Sequence, residues 1–501
     1  MNVEIMDTTL RDGEQTSGVA YTAAEKLHIS RLLLEEVKVD RIEIASARVS
    51  EGELEAVKRI TEWAEKNNRL EQVEVLAFID GDQSVNWIHG AGAKVVNLLC
   101  KGSMKHLTGQ LRKTPEQHVS DVKKSVEMVA RKGMKANLYL EDWSNGMRHS
   151  KDYVFFLVDH LKDVGLQRIM LPDTLGILAP DETFLFCKEM CDRYPGVHLD
   201  FHAHNDYDLA VANTLAAVKA GIKGIHATVN GLGERAGNTP LASVVAVLRD
   251  HTDTQVKVNE EKLTLLSRMV ETFSGIRIPA NKPIVGENVF TQACGVHADG
   301  DNKDKLYYND LLPERFGRVR KYALGKTAGK SNIARNLEEL GIQLDPEAMQ
   351  RVTKRVIELG DRKENVTADD LPYIISDVLQ SEGIEQKIKV HNYSLNVAEG
   401  LKSVATLSLE VDGKCYEETS AGDGQYDAFM NALRKIYAPL NKDLPRLMDY
   451  VVSIPPGGHT DALVETVITW QNGEREFKTR GLDPDQTISA IQATVKMLNL
   501  I

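Results

Sequence analysis

The chain has 501 residues, 42% hydrophobic and 27% charged, and its 61 basic against 73 acidic side chains give a net charge of −12. That composition fits a globular protein of roughly two to four domains, and the acidic balance argues against nucleic acid or an anionic membrane surface as the main partner. No apolar run reaches the roughly 18 residues of a membrane span, Met1–Ile5 lacks a signal-peptide plan, and five scattered cysteines (Cys100, Cys187, Cys191, Cys294, Cys415) point to a reducing cytoplasm rather than a disulfide framework.

Residues 1–280 alternate short apolar runs with longer amphipathic ones. Strands are predicted at Val3–Met6, Arg41–Ile44, Val73–Phe78, Lys94–Leu99, Lys135–Leu140, Arg168–Leu171, His198–His202 and Gly224–Thr228. Between them the pattern predicts helices at Ala23–Glu36, Glu51–Lys66, Pro115–Lys132, Lys151–Val164, Pro180–Arg193 and Leu209–Ala220. Eight such strands, evenly spaced, predict a closed (β/α)8 TIM-type barrel in preference to an open doubly wound sheet. Residues 281–385 open on a loop-like Asn281–Gly286 segment. They then read as helical linker subdomains, with helices at Asn332–Leu340, Pro346–Gly360 and Ala368–Ser381. Residues 386–501 read as a separate α+β regulatory domain. Its strands are predicted at Ile388–Val397, Val404–Val411, Leu447–Ser453 and Val464–Trp470, its helices at Tyr426–Ile436 and Asp485–Leu498, and its loops at Gly422–Gly424 and Pro455–Gly458.

In a TIM-type barrel, catalytic groups gather at the C-terminal ends of the strands. Asp7, Arg11 and Asp12 follow the first strand, Tyr139 and Glu141 end the fifth, Asp173-Thr174 the sixth, and His202 and His204 the seventh. Two histidines at i and i+2 of a strand point to one face, so both imidazoles can aim at one ion, or can be two hydrogen-bonded histidines at a strand end. With Asp12 and Asn238 they form a mixed oxygen and nitrogen set with open positions, suited to Mg2+, Mn2+ or Zn2+ chelated by a substrate.

Arg11 can stabilise charge developing on an oxygen, or can simply pair with Asp12. Glu141 can act as a base or acid in a partly apolar pocket, or accept a hydrogen bond from Arg11. Thr174 offers a hydroxyl to a carboxylate, or an N-cap to the next helix. The loop Asn230-Gly231-Leu232-Gly233-Glu234-Arg235-Ala236-Gly237-Asn238 either lets a phosphate-bearing or pantetheine-bearing substrate approach the backbone or is a tight rim turn. Beyond the barrel, His297 with Tyr307 could be supplied by a lid or a second subunit. Arg315 and Arg318, with Lys321, Lys326 and Lys330, could meet phosphates or form a solvated face.

Asp7-Thr8-Thr9-Leu10-Arg11-Asp12-Gly13-Glu14-Gln15 resembles the signature of the acyl-CoA Claisen-condensing barrel enzymes, the DRE-type metallolyases. His202-Ala203-His204-Asn205-Asp206 and Asn230–Asn238 resemble the two other signatures of the 2-isopropylmalate, citramalate and homocitrate synthases, and the resemblance spans essentially the whole chain. It implies a 2-oxo acid chelated to a divalent metal, attack on its ketone by the carbanion of acetyl-CoA, and thioester hydrolysis. It implies Asp12, His202 and His204 as ligands with Asn238 a fourth, and Arg11 polarising the ketone. Glu141 or His297 would be the base, with His297 and Tyr307 delivered across a homodimer. CoA contacts are expected at Asn230, Gly231, Gly233, Glu234, Arg235, Gly237 and Arg315.

By the same resemblance Leu76, Leu99 and Tyr139 line the 2-oxo acid pocket. Isopropylmalate synthases tend to carry a histidine and a small serine at the last two positions. Leu99 and a bulky Tyr139 leave room for a methyl group, so pyruvate and an (R)-citramalate product are expected over 2-oxoisovalerate. Val39–Ser50 and Tyr139–Gly146 also resemble the citramalate synthases of spirochaetes. The C-terminal domain implies feedback by isoleucine, or leucine for the other acid, in branched-chain amino-acid biosynthesis. A catalytically dead effector-binding barrel and a lyase running the cleavage direction are the rival readings; intact Arg11, Asp12, Glu141, His202 and His204 argue against the first.

Overall fold

The computed structural model describes residues 2–361, 366–379, 388–440, 442–453, 464–473 and 475–500. The chain divides into two compact units: Met1–Thr291 with Tyr307–Lys321, and Gln292–Leu306 with Tyr322–Ile501. The predicted linker helices and the C-terminal domain thus fall in one unit.

In the first unit a closed eight-stranded parallel barrel runs in sequence order: β1 (Glu4–Asp7), β2 (Arg41–Ser46), β3 (Val73–Phe78), β4 (Val95–Lys101), β5 (Lys135–Glu141), β6 (Leu166–Asp173), β7 (Leu199–Ala203) and β8 (Gly224–Ala227). All eight predicted strands are present, and β4, β5 and β6 each run one or two residues further toward the rim than predicted. The surrounding helices form where apolar residues recur at helical spacing behind a strong cap. Glu51–Lys66 buries Ala56, Val57, Ile60 and Ala64 behind the Ser50 N-cap, and Pro115–Arg131 starts from a Thr114–Gln117 capping box. The predicted Ala23–Glu36 helix is α-helical to Arg31, then widens into π-type turns over Leu32–Val37 and stops at Lys38 in the left-handed region. Helices at Gln83–Gly90, Trp143–His149, Leu241–His251 and Leu263–Ser274 complete the layer and were not anticipated.

Strand alternation divides the core in two. Ile42, Ile44, Val73, Val75, Val96, Leu98, Leu138 and Leu140 are buried in the main apolar cluster with the helices. The alternate residues Arg41, Glu43, Glu74, Asn97, Asn137, Asp200 and His226 bond one another across the barrel interior: Asn97 to Glu43 at 2.8 Å, Asn137 to Asn97 at 2.9 Å, Arg41 to Asp200 at 2.6 Å.

In the second unit, helices Lys330–Glu339, Pro346–Asp361 and Leu371–Leu379 enclose a core of Ile333, Leu337, Val352 and Val356. Two antiparallel three-stranded sheets follow, Ile388–Asn396/Ser403–Val411/Lys414–Gly422 and Arg446–Ser453/Val464–Asn472/Arg475–Asp483. Helices Gln425–Tyr437 and Gln486–Leu498 cover them over Leu407, Phe429, Trp470 and Met497. Gly422, predicted in a loop, ends a strand. That strand, Lys414–Gly422, is mostly exposed and has no apolar alternation to betray it. The predicted Pro455–Gly458 loop and residue Ser381 lie outside the described residues.

Candidate active site

Directly after β1 the backbone coils tightly: the Thr8 carbonyl accepts from Asp12 N at 2.8 Å, Gly13 N at 3.1 Å and Arg11 N at 3.2 Å. From beneath, the wholly buried Lys26 donates to Leu10 O (3.0 Å) and Ile44 O (3.2 Å) and pairs with Glu14 and Glu53, both at 2.6 Å. This anchoring presents Asp12 to the end of β7. Asp12 Oδ2 stands 3.3 Å from His202 Nε2 and 3.9 Å from His204 Nε2, and the three side chains form a group able to hold a metal ion. All three are buried. Asp12 Oδ1, His202 Nδ1, His204 Nδ1 and Asn238 Oδ1 are buried without a hydrogen-bond partner, an arrangement that costs free energy unless a ligand satisfies it. Asn238 sits beside His204 through a backbone bridge, its Nδ2 given to Leu232 O at 3.1 Å. Burial would raise the Asp12 pKa, yet the Arg11 charge and the His202 contact hold it well below the carboxylate range, while burial pushes His204 down to about 4. An anionic oxygen and a neutral imidazole are the states a cation requires.

Arg11 donates from Nε to Glu43 Oε2 at 2.6 Å, from Nη1 to Asp12 Oδ2 at 3.0 Å and from Nη2 to the Tyr139 hydroxyl at 3.4 Å. Glu43, which lies in the Val39–Ser50 segment but is not among the candidate site residues read from the sequence, is fully buried and also accepts from Thr8 Oγ1 (2.9 Å) and Asn97 (2.8 Å). The reading of Glu141 as an acceptor for Arg11 is therefore corrected. Glu141 pairs with Lys101, with His106 4.0 Å away, so its surroundings are cationic rather than apolar. Thr174 does not cap the following helix, whose N-cap is Ala179; its Oγ1 accepts from Asp142 N at 2.8 Å. Leu76, Tyr139, Met6 and Met170 form a small buried cluster with Leu99 against it, beside Arg11.

The rim loop explains its glycines by its own packing. Gly231, Gly233 and Gly237 all have positive φ, and a Cβ on Gly237 would lie 1.9 Å from Gly231 O. Asn230 is tied to Ser267, and Arg235 makes a two-pronged pair with Asp206 at 2.8 and 2.9 Å. Glu234 contacts Arg235 at 3.4 Å. Arg315, expected at CoA, pairs with Glu260 and Asp250 at 2.9 Å. Asp250 closes the helix that descends from the rim after β8, so Arg315 lies at the opposite end of the barrel from Asp12, its guanidinium occupied. His297 stands on the first turn of helix Gly295–Asp304 in the second unit; Tyr307 belongs to the first. Glu43, Asn97, Lys101 and His226 escaped sequence reading, although a polar residue at every second place of an apolar strand marks a polar barrel interior.

Residues 2–270 match the HMGL-like family, residues 284–364 the homocitrate synthase post-HMGL domain-like family and residues 365–501 the LeuA allosteric (dimerisation) domain. The chain belongs to the HMGL-like family. A Methanopyrus kandleri protein provisionally named an (R)-citramalate synthase is 37% identical over 473 residues, 94% of this chain and 91% of that one. The (R)-citramalate synthase of Methanocaldococcus jannaschii is 33% identical over 503 residues, the whole of both chains. The 2-isopropylmalate synthase of the same organism is 31% identical over 504 residues, 100% of this chain and 94% of its own. Among solved structures, the HMG-CoA lyase of Bacillus subtilis aligns with a TM-score of 0.49 at 20% identity, over 56% of this chain and 95% of that one. This HMGL-like chain is an enzyme of the condensing synthase type. Among its described residues no helix is long and apolar enough to cross a membrane.

Proposed function

We propose that this HMGL-like enzyme condenses acetyl-CoA with pyruvate and hydrolyses the thioester, giving (R)-citramalate and CoA. The observation that carries the choice of acid is the cluster of Leu76, Leu99 and Tyr139 packed beside Arg11. A phenol there fills the space an isopropyl group would need, and each methylene excluded is worth about 1–3 kcal/mol of discrimination.

Asp12, with His202 Nε2 and His204 Nε2 turned toward it and the unpartnered oxygens Asp12 Oδ1 and Asn238 Oδ1 close by, fits a divalent ion such as Mn2+, Mg2+ or Zn2+. Such an ion supplies Lewis acidity and a fixed seat for the 2-oxo acid. The Arg11 guanidinium, held by Glu43, faces the oxygen on which charge develops. Thr174 accepts from Asp142 N and keeps its own O–H for the substrate carboxylate. Glu141, paired with Lys101, and His297 are the two candidates for removing the methyl proton of acetyl-CoA. CoA is read against the rim loop at Asn230, Gly231, Gly233, Glu234, Arg235 and Gly237.

The C-terminal domain carries a cavity of about 510 Å³ lined by Tyr426, Met430, Arg434, Leu447 and Trp470. Its size and mixed apolar and charged lining suit an amino-acid effector, isoleucine for a citramalate-forming enzyme, and the family name of this domain supports a homodimer. The second reading is 2-isopropylmalate synthase, favoured by the whole-chain relative of that name. Thiol release from acetyl-CoA with pyruvate, 2-oxoisovalerate and 2-oxoglutarate tests the proposal: fastest release with pyruvate is expected, and fastest release with 2-oxoisovalerate overturns it.

A further inference from the structure

We propose that His226 is a positioning residue which holds the Tyr139 phenol against the 2-oxo acid pocket and so sets the size of acid admitted. This rests on the reading of Tyr139 as a wall of that pocket. The argument is an inventory of hydrogens. The Tyr139 oxygen has three polar neighbours: Arg11 Nη2 at 3.4 Å, Glu43 Oε2 at 3.3 Å and His226 Nδ1 at 3.2 Å. Arg11 can only donate, so the single phenolic hydrogen goes to Glu43 or to His226. Glu43 Oε2 already accepts from Arg11 Nε at 2.6 Å and Thr8 Oγ1 at 2.9 Å, which take up its lone pairs. His226 Nδ1 accepts from no other group among the described residues.

The opposite edge of the imidazole fixes its tautomer. His226 Nε2 stands 3.3 Å from Asp200 Oδ2, a carboxylate that also receives Arg41 Nη2 at 2.6 Å. A carboxylate so placed accepts, so Nε2 carries the hydrogen and Nδ1 presents its lone pair to the Tyr139 hydroxyl. Asp200 has no freedom to move: Arg41 is held in turn by Glu74 at 2.8 Å, and a Cβ on Gly224 would lie 2.1 Å from Asp200 Oδ1. Glycine at position 224 is what lets the carboxylate occupy that place. Tyr139 and His226 meet edge to face, ring centres 5.5 Å apart. The chain Tyr139–His226–Asp200–Arg41 joins β5, β8, β7 and β2, so the pocket wall is fixed to the rigid barrel and not to a loop. Without the Nδ1 acceptor the phenol would face a saturated carboxylate and a cation, and would swing from the pocket.

The test is the ratio of kcat/KM for pyruvate to that for 2-oxoisovalerate. His226→Leu, which removes the acceptor, is expected to lower this ratio about tenfold. His226→Asn, which returns an acceptor near the place of Nδ1, is expected to restore most of it. In a Tyr139→Phe background, which has no hydroxyl to hold, adding His226→Leu is expected to change the ratio less than about twofold. Should His226→Leu fail to fold, His226→Met removes the acceptor with an unbranched apolar side chain, and the same ratio decides. An equal loss for both acids in every His226 variant, or a full shift that persists in Tyr139→Phe, overturns the proposal. An unchanged ratio in Tyr139→Ser would instead overturn the pocket reading on which it rests.

Discussion

Arg11 Nε donates to Glu43 Oε2 over 2.6 Å, a buried pair between the turn after β1 and the interior of β2. Burial would raise the Glu43 pKa, but the Arg11 charge beside it brings it below its ordinary value, so the carboxylate is the state that holds the guanidinium. Removing one partner of a buried pair costs up to roughly 3–5 kcal/mol, and without the Glu43 carboxylate Arg11 keeps only Asp12, at 3.0 Å, as a charged partner. Glu43→Gln is therefore expected to lower kcat/KM at least about a hundredfold. Thiol-release kinetics beside a thermal melt check this, and unchanged kinetics in a folded variant would sink the claim that Glu43 orients Arg11.

Asp12 Oδ2, faced by His202 Nε2 and His204 Nε2, predicts a tight divalent-ion site at the rim of the barrel. Equilibrium dialysis with Mn2+ should find it, and His204→Asn should weaken binding by about a hundredfold or more. Dialysis against a chelator should abolish thiol release, with activity restored by adding the ion back. Binding that survives both His202→Asn and His204→Asn would place the ion elsewhere.

The strands and the His202–His204 pair were legible because their signals are local. Apolar runs of even length announced β1 to β8, and His202 and His204 share a face by alternation alone. What the sequence withheld depends on closure. Glu43 and Asn97 are separated by 54 positions and meet only because β2 and β4, on either side of β3, turn both side chains into the closed barrel's interior. The alternative reading of Glu141 as an acceptor for Arg11 fails because nothing local announces Lys101, whose β4 runs beyond its predicted end to bring the ammonium beside it. Arg315 looked free in a basic stretch, and only the fold brings Asp250 and Glu260 to it.

The rim turn gives a backbone prediction. Gly237→Ala places a Cβ 1.9 Å from Gly231 O at a φ of +84°, which only glycine adopts without strain. Displacing the turn moves Asn238 and its orphaned oxygen, so ion affinity should fall together with the melting temperature. A variant with unchanged melting would mean that the loop's glycines serve substrate approach alone.

His118 gives a pH prediction. It is buried, and burial pushes it from 6.5 down to about 4, while its Nε2 accepts the Lys101 backbone N–H at 3.1 Å. The folded protein thus binds this proton less readily than the unfolded chain. Its contribution is complete above about pH 6.5 and is lost as pH falls toward about 4, amounting to about 2–3 kcal/mol. Urea midpoints at about pH 5 and about pH 7.5 should differ less in His118→Gln than in the wild type. An equal acid sensitivity in both would remove His118 from the account.

Tyr139→Ser should open the pocket and raise kcat/KM for 2-oxoisovalerate relative to pyruvate by about tenfold. Steady-state kinetics with both acids check this, and no shift would show that the phenol does not line the site.

The most direct measurement is a competition. The wild-type enzyme is given acetyl-CoA with equal concentrations of pyruvate and 2-oxoisovalerate, and the two products are quantified by mass spectrometry. A small pocket closed by Tyr139 predicts citramalate in at least about tenfold excess. A product mixture dominated by 2-isopropylmalate would contradict it.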